Sequence, residues 1–166
     1  MKFQWESIPS NILKKLETSL FHHLPGFTII SLSSFMKGAG EMKFPWYQNP
    51  SLCPLIYGRI ISFYGEEDQQ QTTMNLMDSS TTTTTINQIE FDQQQLRQQA
   101  DALGLALIVS GMGKCGLKQK DLTKDVYKAI IHGMKKYHGV MNTTDKNMLL
   151  TGFTEMELKS SSKKIE

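Results

Sequence analysis

Apolar residues first recur at helical spacing at Ile12, Leu13, Leu16 and Leu20. Pro9 suits the start of that helix, because its missing N–H would go unpaired in the first turn anyway. Leu24-Pro25-Gly26 should end it, since proline cannot continue the hydrogen-bond ladder and glycine accepts the turn. Over residues 27–35 the β-branched and aromatic content predicts a strand, with Phe27, Ile29 and Phe35 on one face and Ile30 and Leu32 on the other. Gly38, Gly40, Pro45, Pro50 and Pro54 make the following stretch read as a long connection. Its Phe44, Trp46 and Tyr47 are expected to fold back on the core rather than form a recognition patch, because burying a large apolar side chain gains about 1.5–3 kcal/mol.

Residues 55–64 place Leu55, Tyr57, Arg59, Ile61 and Phe63 opposite Ile56, Gly58, Ile60, Ser62 and Tyr64, which predicts a second strand. Asp92 can cap a helix that buries Leu96, Ala100 and Leu103 and stops at Gly104. The continuous apolar run 105–109 then predicts a strand buried on both faces. Asp121 or Thr123 can cap a third helix with Val126, Ile130, Met134 and Tyr137 inward, ending at Gly139, and residues 147–153 suggest a last strand. The pattern as a whole predicts an α+β fold: a mixed or antiparallel sheet of about four or five strands, with three helices mainly on one face.

The 166 residues fit one domain over 1–158, followed by a charged tail over 159–166. An insert at 66–86 interrupts it, with Glu66-Glu67-Asp68, three glutamines and the threonine run Thr81–Thr85. Such a composition cannot bury enough apolar surface to offset ordering, so the insert is expected to be disordered, and the run suggests a eukaryotic source. Deleting residues 69–85 is accordingly expected to leave the melting temperature nearly unchanged, because loop-closure cost varies slowly with length.

Charge is uneven along the chain. Residues 1–110 hold 7 Lys/Arg against 10 Asp/Glu, whereas residues 111–166 hold 11 against 6. The basic C-terminal third points to an acidic protein, RNA or phosphate as partner. No apolar run approaches the roughly 20 residues that span a bilayer, and no signal-peptide stretch follows the N-terminus, so a cytoplasmic or nuclear protein with no membrane contact is expected. Two cysteines, Cys53 and Cys115, are too few for a disulfide scaffold.

The candidate chemistry clusters in the same third. Gly111, Gly113 and Gly116 satisfy GxGxxG and stand as an anion loop between the expected strand and helix. The helix cap comes too late for a dinucleotide fingerprint, and Cys115 stands where a phosphate loop needs Ser or Thr. Lys114 and Cys115 side by side suggest an activated thiol, yet His22, His23, His132 and His138 have no spacing that supplies a base. Neither a CxxC pair nor a paired histidine set is present, so neither a metal nor a cofactor is expected. Lys114, Lys118, Lys124, Lys128 and Lys135 form the basic approach and face of the third helix. Arginine appears only as Arg59 and Arg97, which disfavours base-specific reading of nucleic acid. The expected function is a non-catalytic subunit or adaptor of an intracellular multiprotein assembly that binds an acidic partner through this helix. An RNA- or phosphate-binding module is the first alternative, and a small enzyme using Lys114 or Cys115 the second.

Overall fold

The computed structural model describes residues 8–65 and 83–161, with side chains for 8–65 and 92–157. Among these residues there are no strands, so the expected α+β sheet is replaced by six α-helices. They are α1 (Ser10–His23), α2 (Ile29–Met42), α3 (Leu52–Tyr64), α4 (Thr83–Cys115), α5 (Lys124–Tyr137) and α6 (Thr143–Ser161). The strand expected over 27–35 is α2, started by Thr28, whose Oγ1 accepts the Ser31 N–H. The alternating run 55–64 lies in α3, the apolar run 105–109 in the C-terminal third of α4, and 147–153 in α6. Residues 83–86, expected to belong to the insert, open α4, and the remainder of the insert and the tail from 162 lie outside the described residues.

The physical reason for the exchange is burial on more than one side. α4 packs against α2, α6 and α5, and α3 packs against α1, α2 and α5. A helix surrounded in this way carries apolar residues around most of its circumference, and a short apolar run then has no period that separates it from a strand. The core runs through Leu32 and Met36 of α2, Ile56 and Ile60 of α3, Leu105, Ile108 and Met112 of α4, and Ile130 of α5, all with no exposed area.

Alternate helices stack into two layers, α1, α3 and α5 in one and α2, α4 and α6 in the other. The layers repeat in detail. α2 ends with Lys43 in the left-handed region, the Lys43 N–H donating to Gly40 O and the Phe44 N–H reaching back to Ala39 O at 2.8 Å. Seventy-three positions on, Gly116 is left-handed, donates to Gly113 O, and the Leu117 N–H reaches Met112 O at 3.2 Å. Both ends are Schellman caps, and both following residues, Phe44 and Leu117, are buried.

Glycines carry the same repeat between helices. Gly111 lies against the backbone carbonyl of Met36, and Gly152 against that of Val109, where an added Cβ would sit 2.5 Å from the oxygen. Met36 and Val109 are again 73 apart, while Gly111 and Gly152 are 41 apart. The six described helices therefore form three successive pairs, α1 with α2, α3 with α4 and α5 with α6, that repeat one contact along the α2/α4/α6 layer, with about 32 surplus residues between α3 and α4. The exposed side chains of residues 92–100 show that α4 projects beyond its neighbours on the side of that surplus.

The first helix follows its expected bounds, and the 3-10 turn Leu24–Gly26 ends it. Only Leu20 of its apolar residues is buried, whereas Ile12 is 53% exposed, because α1 lies at the end of its layer and is covered from one side. The expectation for Phe44 and Trp46 holds: both are buried, Trp46 meeting Tyr57 edge-to-face at 5.8 Å. Of the two expected caps for α5, Thr123 serves, accepting the Val126 N–H through Oγ1.

Candidate partner-binding groove

α3 and α5 lie side by side, and the outer surface between them forms a groove of about 530 Å³. Tyr64 of α3 and Tyr137 of α5, both buried, join the two helices. Their rings meet edge-to-face at 6.2 Å, and both hydroxyls donate to Asp101 of α4, one to its backbone oxygen at 3.1 Å and the other to its carboxylate at 3.3 Å. Burial, with the Asp101 carboxylate adding to it, pushes the Tyr64 hydroxyl far above the usual tyrosine range, so it stays a neutral donor. His132 is fixed by Nδ1 at 2.9 Å from Tyr64 O, which leaves the rest of its ring toward the groove.

Ile61 and Ile131 supply apolar wall, Tyr127 an exposed phenol, and Lys128 and Lys135 the charge; Asp125 is the carboxylate that lines the groove. Lys124 stands one turn before Lys128 and is likewise exposed. Three of the five expected lysines are thus brought onto one face of α5. Lys114 belongs to the other layer, its Nζ 2.5 Å from Glu41 Oε1 of α2. Lys118 precedes the 3-10 turn Gln119–Asp121, where its backbone N–H donates to the Asp121 carboxylate. Neither is part of the α5 face.

The anion loop of Gly111, Gly113 and Gly116 is corrected by the structure. Gly111 and Gly113 lie inside α4 and press on α2 and α6, so their N–H groups belong to the helix ladder and face no open space. Gly116 is the left-handed cap. The glycines are there to let helix backbones approach each other. Cys115 is 7% exposed, and Cys53, half-buried, has its thiol pushed up by burial, with a hydrogen bond to Tyr57 acting weakly the other way. Burial of one thiol and a diminished thiolate fraction at the other suit packing better than nucleophilic attack.

Among the described residues no group of three His, Cys, Asp or Glu side chains is placed to hold a metal ion, and no helix is long and apolar enough to cross a membrane. What the sequence reading missed is the contribution of α3. The alternation over 55–64 predicts a strand for Ile61, and only helical spacing over 52–64 places it beside Tyr127 and Ile131. No family model, curated protein or solved structure matches the chain.

Proposed function

We propose that the protein is a non-catalytic partner-binding module, a subunit or adaptor of a multiprotein assembly, whose α3/α5 groove takes an acidic segment of a protein partner. The observation that carries this is the convergence of Lys128 and Lys135 with Ile61, Tyr127 and Ile131 in one groove. An acidic segment with apolar side chains meets both demands at once, and the lysines steer its approach. Helix-pair arrays present extended surfaces of this kind for binding. We also propose a cytosolic or nuclear location, since two cysteines are too few for the disulfide scaffold of a small secreted domain.

A second reading rests on Tyr127, an exposed aromatic between cations, which is the arrangement on which single-stranded RNA stacks. One set of variants separates the two. Replacing Lys124, Lys128 and Lys135 together by glutamine is expected to slow association with the protein partner roughly tenfold at low salt, with the melting temperature unchanged. Under this reading, RNA affinity at physiological salt is absent before the substitutions are made. Tight RNA binding with a steep salt slope that the triple variant flattens would transfer the groove to RNA.

A further inference from the structure

The described residues fill two helix-sized angles of their own and leave a third open. α3 rests in the angle formed with α1 and α2. α5 rests against α3 and α4, where Gly133 lets it close on Tyr64 and Leu105. The next angle in the series, between α5 and α6, is a cleft of about 550 Å³ lined by Met134, Met141, Leu149, Leu150 and Phe153. Met36 and Val109, which occupy the position of Leu150 in the two preceding repeats, have no exposed area, whereas Leu150 is 66% exposed.

The charge at this cleft selects the occupant. Lys135, His138 and Lys146 stand exposed at its edge, and no carboxylate among the described residues lines it. A second copy would have to offer its own outward apolar helix. Among the described residues its largest exposed apolar stripe is on α1, where Ile12, Leu16 and Phe21 are exposed against two such residues, Leu96 and Leu103, on α4, and the outer surface of α1 carries Lys14, Lys15, His22 and His23 against Glu17. Cation would meet cation. We infer that the α5/α6 cleft docks an amphipathic helix of a partner protein, with its apolar stripe on Met134, Met141, Leu149 and Phe153 and acidic residues flanking the stripe toward Lys135, His138 and Lys146. Methionine-lined clefts suit this mode, because the unbranched thioether adapts to the incoming side chains. The site does not rest on the α3/α5 groove, with which it shares Lys135 alone.

The test uses the full chain and two synthetic helical peptides about four turns long, both with leucines at i, i+3, i+4 and i+7, one flanked by glutamates and the other by lysines. The glutamate peptide is expected to bind with a Kd of about 10–100 µM, well short of a natural partner's affinity. It should shift the methyl resonances of Met134 and Met141, leaving Met36 and Met112 in the core unmoved. Leu150→Glu and Lys146→Glu, both at exposed positions, should each weaken binding at least tenfold at unchanged melting temperature, while Lys37→Glu, exposed on α2 and outside both grooves, leaves it intact. Absence of methyl shifts up to about 1 mM peptide, equal binding of the lysine peptide, or indifference to Leu150→Glu would overturn the proposal. Concentration-dependent dimerisation of the full chain that Leu150→Glu abolishes would overturn it too, by giving the cleft to a second copy.

Discussion

Ile108→Asp is expected to leave the chain largely unfolded, whereas Gln94→Asp, on the same helix, should shift stability by no more than about 0.5 kcal/mol. Ile108 has no exposed area and lies in the stretch of α4 enclosed by α2, α5 and α6, while Gln94 lies where α4 projects and every side chain from 92 to 100 is exposed. A carboxylate at 108 would lose its hydration with no cation beside it, and it would replace a side chain whose burial contributes about 1.5–3 kcal/mol. The combined loss, about 4 kcal/mol or more, is a large part of the 5–15 kcal/mol that separates a typical folded domain from its unfolded state. Far-ultraviolet circular dichroism during urea unfolding checks both variants. Similar midpoints for the two would contradict the enclosed position of α4.

The burial of Ile108 was legible in the sequence, although the element that buries it was not. A run such as Leu105 to Val109 says that both sides are covered, and it says so equally for a central strand and for a helix surrounded by helices. Length decides between them. Ala102, Leu105, Ala106, Ile108, Val109, Met112 and Cys115 keep helical spacing across some four turns, and all are buried. Reading Gly104 as a stop cut that stripe at its first turn. The same holds in α2, where Gly38 and Gly40 read as punctuation although Leu32, Met36 and Ala39 continue across them. In α3 the alternation of Leu55, Tyr57, Arg59, Ile61 and Phe63 with Ile56, Gly58, Ile60, Ser62 and Tyr64 imitates a strand, although the buried Leu52, Ile56, Ile60 and Tyr64 keep helical spacing while Tyr57 reaches Trp46 and Asp121 O. A mid-helix glycine costs about 1 kcal/mol relative to alanine, so several in one fold point to backbones that must come close. The lysine face of α5 was fully legible, since Lys124, Lys128 and Lys135 need only one helix. The groove was not, because its other wall depended on α3 being a helix.

Gly111→Ala and Gly38→Ala should move stability in opposite directions, although the two glycines occupy matching positions 73 residues apart on α4 and α2. At Gly111 a Cβ would drive into the Met36 carbonyl of the preceding helix, and the nearest obstacles are backbone atoms that cannot turn aside. Relief requires α2 and α4 to separate along their length, and the cost is expected to be roughly 3 kcal/mol or more. For a chain of this size that lowers the melting temperature by about 10 °C. At Gly38 nothing among the described residues lies within 4 Å of the Cβ position, because α2 is the first described helix of its layer. Alanine then only narrows the unfolded ensemble and favours the helix, for a gain of about 0.5–1 kcal/mol. Gly152→Ala belongs with Gly111→Ala, since its Cβ would stand 2.5 Å from Val109 O across the α4/α6 contact. Calorimetric melting of the three variants reads the repeat directly. Two large losses and one small gain support three helix pairs joined by one recurring contact, and a comparable loss at Gly38 would mean that a helix covers α2 from outside.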